Sequence, residues 1–160
     1  MKNYQEWYRN ISSRLTSHPI LLFLLRSFNR LMTVAMPMVY LALLVTTYLQ
    51  LGIGKQVWIY LFVPASGFVI LSLIRKKINH PRPYETWDIA PLLDKDSLGQ
   101  SMPSRHVFSA TIISMACFHA WTLIGTILLI CSGLLALVRV LGGVHYPKDV
   151  LVGYACGLVW

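Results

Sequence analysis

Charged residues are scarce in this sequence, and acidic residues most of all. Only 12% of its 160 residues are Asp, Glu, Lys or Arg, whereas 56% are hydrophobic; soluble domains carry roughly 25% charged residues. Several apolar runs approach the roughly 20 residues that a helix needs to cross a bilayer. The composition therefore excludes an ordinary soluble domain and indicates a multi-pass protein of the cell membrane.

Six acidic residues stand against 14 Lys and Arg, which gives a net charge of +8. This excess suits contact with anionic lipid head groups or with a phosphorylated substrate. The basic residues do not follow a soluble face with interleaved aromatic residues, as nucleic-acid binding would require. We therefore expect the lipid bilayer and a membrane lipid substrate as partners, and no nucleic acid. The oligomeric state stays open.

Cysteine is also rare. Cys117, Cys131 and Cys156 all lie in apolar segments, and their number is odd. Their spacing matches no metal-ligand motif. We interpret them as small buried residues and predict neither a disulfide nor a metal site.

The apolar runs predict an all-α fold, a polytopic membrane helix bundle that forms a single domain over residues 1–160. Residues 1–32 mix basic and aromatic residues with an apolar run too short to span, which favours an amphipathic helix lying in the interface. About five spanning helices are expected after it, at 33–49, 56–74, 104–121, 122–140 and from 147 onward. As a helix, residues 150–160 rise only about 16 Å, roughly half of a hydrocarbon core.

Residues 75–103 are the only long polar stretch, and their prolines and acids predict a loop or lid at the membrane surface. The alternation of the spans places this stretch on the same side as residues 139–149. Lys55 and the turn at Trp121 lie on the other side. Polar residues far apart in the chain are therefore expected to meet at one end of the bundle.

Residues 139–149 concentrate charge between two apolar segments. Pro147 suits the first helical position, since its missing N–H would be unpaired there. Asp149 then falls in the first turn, where a carboxylate is favoured and can reach back to His145. Arg139 is near enough to hold an anion beside them. Ionisable groups at a membrane boundary are costly, so this cluster predicts a functional site.

Two further clusters add groups that suit phosphate. Arg75 and Arg82 carry forked guanidinium groups that bind phosphate oxygens with paired hydrogen bonds. A helix is predicted to begin at the Pro-Ser pair, so Ser104 and the following backbone amides form an anion site at a helix N-terminus. With His106 and His145 together, one imidazole can attack phosphorus while the other protonates the leaving oxygen.

The three clusters resemble the type 2 phosphatidic acid phosphatases, a family that includes bacterial membrane lipid phosphatases. The family pattern is Lys-x6-Arg-Pro, then Pro-Ser-x-His, then Ser-Arg-x5-His-x3-Asp. Arg82-Pro83, Pro103-Ser104-x-His106 and Arg139-x5-His145-x3-Asp149 match it in order and spacing. The resemblance covers about residues 33–160, which would form the catalytic helix bundle, and the first 32 residues add nothing specific to it.

The resemblance implies a role for each matching residue. His145 would be the nucleophile that forms a phosphohistidine, with Asp149 orienting it and His106 as the general acid. Phosphate would be bound, without a metal or another cofactor, by Arg82, Ser104 and Arg139.

Two positions depart from the family pattern, and a third, variable position is unusual. Arg75 stands where the family has lysine; it keeps the charge and is counted among the phosphate-binding residues, although the two side chains are not equivalent donors. Val138 replaces the serine before the motif arginine and removes a hydroxyl contact. Arg105 fills a variable position that is often glycine, and either narrows the pocket or adds a second phosphate contact. These departures leave the reaction class standing and the substrate preference open.

The predicted function is hydrolysis of a lipid phosphate or prenyl diphosphate, with undecaprenyl diphosphate, phosphatidylglycerol phosphate and phosphatidate as candidates. One alternative is a non-catalytic lipid-binding or transport membrane protein that retains the fold. Another uses His106, His145 and Asp149 as metal ligands for transport, although the surrounding arginines argue against a cation site.

The charge pattern and the resemblance disagree about the side of the membrane. Family members usually carry the site on the extracytoplasmic side. Once the four arginines that are candidate phosphate contacts are set aside, nine Lys and Arg residues lie on the active-site side and only Lys55 on the other. Because basic residues concentrate on the cytoplasmic side of membrane proteins, we predict a cytoplasm-facing site.

Overall fold

A computed structural model describes residues 3–95 and 98–160, and this part of the chain folds entirely into helices and connections, without a strand. The predicted all-α class is therefore confirmed. The helices are α1 (Asn3–Thr16), α2 (Pro19–Leu51), α3 (Lys55–Ile78), α4 (Pro83–Thr86), α5 (Arg105–Ala120), α6 (Thr122–Leu141) and α7 (Pro147–Val159).

Three helices, α2, α3 and α6, are long and apolar enough to cross a membrane. Much of their surface consists of exposed large hydrophobic side chains, as expected of helices that face lipid. With 16 and 13 residues, α5 and α7 extend about 24 Å and 20 Å, less than a hydrocarbon core of about 30 Å. The protein is a membrane helix bundle, and the expected number of about five spans stays a prediction.

The N-terminal boundary of the first span differs from the predicted one. Residues 19–32, which we assigned to an interfacial helix, belong to α2 instead, and this helix runs on through Pro37 to Leu51. No glycine or proline interrupts the helical pattern between Pro19 and Thr33, so nothing ends the helix there. With 33 residues, α2 is about 50 Å long and extends well beyond the hydrocarbon core.

The first helix is fixed to the polar end of the bundle. Tyr8 is 1% exposed, and its hydroxyl accepts a hydrogen bond of 3.2 Å from the Leu92 N–H. Arg9 pairs with Asp88 at 3.2 Å. Gly143 has a φ of +75°, and a Cβ there would lie 2.4 Å from the Tyr8 hydroxyl. Only glycine suits this position, so α1 packs directly on the connection between α6 and α7.

Helix α5 is the centre of the bundle and contacts α2, α3, α6 and α7. Phe108, Ile112 and Cys117 on α5 belong to the main hydrophobic core. Small residues bring its neighbours close, since a Cβ on Gly125 of α6 would lie 2.1 Å from the Phe118 Cα, and one on Gly153 of α7 would lie 2.7 Å from the Ser104 carbonyl oxygen. Close packing of this kind is typical of membrane helices, and it fixes the first turn of α5 against α7.

The predicted lid is folded over this end of the bundle. The N–H groups of Leu92 and Leu93 donate to the Gly142 carbonyl at 2.9 and 3.3 Å, and that of Ser101 donates to the His80 carbonyl at 2.8 Å. Glu85 on α4 accepts from the Gly99 N–H at 3.0 Å. The segment is therefore tied to the ends of α3 and α6.

Candidate active site

The predicted site residues come from five separate parts of the chain and meet at one end of the bundle. Six of the seven are at most 4% exposed, and His106 is partly buried. The six buried residues are Arg75, Arg82, Ser104, Arg139, His145 and Asp149. Buried charges are costly unless they are paired and hydrogen-bonded, so their concentration at one end indicates a specialised site.

Backbone carbonyl groups hold two of the arginines in place. Arg82 donates from Nε to the Gly99 carbonyl at 3.1 Å and from Nη1 to the Val144 carbonyl at 3.3 Å. Arg75, in the last turn of α3, donates from Nη1 to the Pro103 carbonyl. These bonds fix the orientation of each guanidinium, which has five N–H donors.

Ser104 lies directly before α5 and is completely buried. Its N–H donates to the Asp149 carbonyl at 2.8 Å, which joins the start of α5 to the start of α7. Among the described residues, its Oγ has no hydrogen-bond partner. An unsatisfied buried hydroxyl is unfavourable. At a helix N-terminus, where backbone N–H groups and the helix dipole favour negative charge, it suits a bound anion.

His145, Ser101 and Asp149 form a hydrogen-bonded chain. The Ser101 Oγ donates to Asp149 Oδ2 at 2.5 Å and lies 3.3 Å from His145 Nδ1. The direct distance from His145 Nδ1 to Asp149 Oδ2 is 3.6 Å, so the serine hydroxyl bridges the two groups. The Tyr146 N–H also donates to Asp149 Oδ2 at 3.0 Å. Acceptors on this side favour a proton on Nδ1, which leaves the Nε2 lone pair available.

Burial lowers the pKa of His145 to about 4, with the positive charges of Arg139 and Arg82 acting in the same direction and Asp149 opposing them. Burial acts to raise the pKa of Asp149, but its interaction with His145 and the hydrogen bonds from Ser101 and the Tyr146 backbone outweigh it and hold that pKa below its usual value. At neutral pH the site therefore contains a neutral imidazole beside an ionised carboxylate. A neutral imidazole is the form that can attack phosphorus.

The sequence analysis missed two residues at this site. Ser101 precedes the Pro-Ser motif and carries no periodicity or spacing signal of its own. Asn29 lies in the segment to which we assigned nothing specific, yet its Oδ1 accepts a hydrogen bond of 3.4 Å from Arg139 Nη1. The packing of α2 against α6 is what brings Asn29 next to Arg139.

A search of curated proteins gives no match, but two solved structures are similar. The crystal structure of Aquifex aeolicus LpxE has a TM-score of 0.74 and 25% identity, covering 96% of this chain and 89% of that one. A transmembrane PAP2-type phosphatidylglycerolphosphate phosphatase from Bacillus subtilis has a TM-score of 0.67 and 21% identity, covering 99% of this chain and 83% of that one.

A family comparison confirms the resemblance drawn from the motifs. The model of the PAP2 superfamily matches residues 56–160, which contain all seven predicted site residues. The similar structures extend the likeness of fold to nearly the whole chain. This chain belongs to the PAP2 superfamily and is a membrane lipid phosphatase.

Proposed function

We propose that the protein hydrolyses a lipid phosphate or lipid diphosphate through a phosphohistidine on His145. The observation that carries this proposal is the neutral, buried His145, oriented through Ser101 and Asp149 and surrounded by arginines. Nε2 attacks phosphorus, the bond from phosphorus to the leaving oxygen breaks, and His106 donates a proton to that oxygen. Water then attacks the phosphohistidine, gives a proton back to His106 and releases inorganic phosphate.

The arginines and Ser104 are assigned to the phosphate oxygens. Arg75, Arg82 and Arg139 stabilise the negative charge of the transferring group, and the Ser104 hydroxyl supplies a further donor. Because three guanidinium groups neutralise the phosphate, this reaction needs neither a metal nor another cofactor.

An apolar cavity supports a lipid substrate. It has a volume of about 290 Å³ between α2, α3, α5 and α6, and its lining includes His106, Met36 and Phe68. A hydrocarbon chain in this cavity would have its head group next to the general acid. Undecaprenyl diphosphate, phosphatidylglycerol phosphate and phosphatidate all have this arrangement and form the substrate panel.

Phosphate release from that panel tests the proposal. The wild type should release phosphate with undiminished rate in the presence of a chelator, whereas His145→Ala should lose at least about 10³-fold in kcat because the nucleophile is gone. His106→Ala should be strongly impaired, and His119→Ala, which removes an exposed histidine at the opposite end of α5, should behave as wild type. Activity retained in His145→Ala would rule out the mechanism.

We also propose that the site faces the cytoplasm of a multi-pass cell-membrane protein, since nine basic residues lie on that side against Lys55 on the other. Asp94, which is exposed near the site, is a suitable position for labelling. Asp94→Cys in a background without the native cysteines should react with a membrane-impermeant reagent only after the cells are opened. Labelling in intact cells would place the site outside.

A further inference from the structure

A second cavity lies beside the candidate active site, along the N-terminal half of α2. Its volume is about 530 Å³, and the polar residues in its lining are Arg26, Asn29, Arg30, Thr33 and Asp94. Leu92 and Leu93 of the lid form the opposite wall. The cavity therefore has a polar helix face on one side and a lid tied to the end of α6 on the other.

Asn29 joins this cavity to the candidate phosphate site. Its side chain lines the cavity and accepts the hydrogen bond from Arg139 Nη1. Arg26 stands three residues earlier on α2, about 4.5 Å along the helix axis. The cavity thus begins at a residue that touches the catalytic arginine and continues toward Arg26 and Arg30.

The charge in the cavity is positive, and one guanidinium is already oriented. Arg26 donates from Nε to the Leu92 carbonyl at 2.9 Å, which uses one of its five donors. Arg30 lines the same cavity with an exposed side chain. Among the residues that the structure describes, Asp94 is the one acid in the lining. Two arginines with one acid and an amide suit a phosphate group.

The polar cavity and the apolar one lie along the same helix, α2. Thr33 lines both cavities, and Pro37, one turn further along the helix, lines the apolar cavity next to His106. Positions 26, 29, 30, 33 and 37 recur at the spacing of one helix face. One face of α2 is therefore basic toward its N-terminus and apolar toward Pro37, which matches the polarity of a lipid with an anionic head group.

We propose that Arg26, Asn29 and Arg30 form a second anion site, which binds a second phosphate of the lipid substrate while the first occupies the catalytic site. This inference rests on the proposed function. A lipid that occupies both sites would carry a phosphomonoester joined through a short polyol to a phosphodiester.

Steady-state kinetics in neutral detergent micelles test this site. Phosphatidylglycerol phosphate supplies two phosphates across a glycerol spacer, and phosphatidate supplies one. In Arg26→Gln/Arg30→Gln, KM for phosphatidylglycerol phosphate should rise about 10-fold with kcat within about twofold, as expected when charge-assisted hydrogen bonds to bound substrate are lost. Both parameters for phosphatidate should stay within about twofold.

Two further variants distinguish the loss of a contact with substrate from damage to the fold and from a general loss of positive charge. Arg30→Gln removes no hydrogen bond to any residue that the structure describes, and should alone raise KM for phosphatidylglycerol phosphate about threefold. Lys76→Gln/Lys77→Gln removes two exposed charges from the end of α3 and should leave the ratio of the two substrates unchanged.

Three results would overturn the second site. Equal losses for both substrates would show that the arginines act on the fold or on the catalytic site as a whole. A selective loss seen only in vesicles of anionic lipid, and absent in neutral micelles, would show that they bind bilayer head groups. Failure of the wild type to release phosphate from either substrate would instead overturn the proposed function, and this inference with it.

Discussion

Two groups of arginines lie at the same end of the molecule in different surroundings. Arg82 and Arg139 are 2% exposed, whereas Arg26 and Arg30 are exposed along a cavity on α2. A buried, oriented guanidinium is screened little and needs no reorganisation when phosphate binds. An exposed one is screened by water and salt. We therefore expect the buried group to govern rate and the exposed group to govern substrate choice.

The largest loss of activity is expected when a buried arginine is changed, in Arg82→Lys. Lysine keeps the charge but cannot make the bonds of Arg82 Nε and Nη1 to the carbonyls of Gly99 and Val144 while presenting a fork to phosphate. We expect kcat/KM to fall about 10²-fold for every substrate, as when one preorganised donor is lost. The matched exposed change, Arg14→Lys in α1, should have no effect. A loss below about threefold in Arg82→Lys would contradict the preorganised role.

A smaller effect is expected from Ser101→Ala. The Ser101 hydroxyl bridges His145 and Asp149 and helps to lower the pKa of that carboxyl. Its removal should reduce kcat about 10-fold with little change in KM, and should raise the pKa of Asp149, so that the acidic limb of the kcat profile moves to higher pH. Ser101→Thr, which keeps the hydroxyl, should recover most of the rate. An unchanged pH profile in Ser101→Ala would reduce Ser101 to a packing residue.

The two arginine groups should also differ in their effect on His145 itself. Its pKa of about 4 reflects burial first, then Arg139 and Arg82, so the imidazole should stay neutral down to well below its ordinary value near 6.5. Nitrogen NMR of histidine-labelled protein, assigned with His145→Ala, should show a midpoint near 4 that Arg26→Gln/Arg30→Gln leaves unchanged. A midpoint near 6.5 would mean that water reaches the imidazole freely.

The smallest effect belongs to Arg30→Gln, with about a threefold rise in KM confined to a substrate with two separated phosphates. This selectivity is what distinguishes the exposed group from the buried one. If Arg30→Gln lowered kcat for phosphatidate as strongly as Arg82→Lys does, the two groups would form a single site.

The helical class and the choice of candidate site residues could be predicted because both follow from patterns of neighbouring residues in the sequence. Pro147 and Asp149 define the start of α7 by helix-terminus chemistry, and the spacing of charged residues in the three clusters carries the family resemblance. The tight turn at Trp121 between α5 and α6 is likewise present in the structure.

Ser101 and Asn29 could not be predicted in this way, because their roles depend on contacts between distant segments. Ser101 reaches residues more than 40 positions away, and Asn29 and Arg139 are separated by 110. The N-terminal boundary was wrong for a related reason. Residues 19–32, with their basic side chains, were assigned to an interfacial helix, whereas they belong to one helix of 33 residues that continues to Leu51.

The most direct test of the central claim is to identify the phosphorylated residue during turnover. Rapid mixing with a lipid phosphate, an alkaline quench that preserves phosphohistidine, and mass spectrometry of the peptides should find phosphate on His145 in the wild type. The signal should be absent in His145→Ala and present in His119→Ala. Phosphate on a different residue, or full turnover without phosphorylation of His145, would contradict the account.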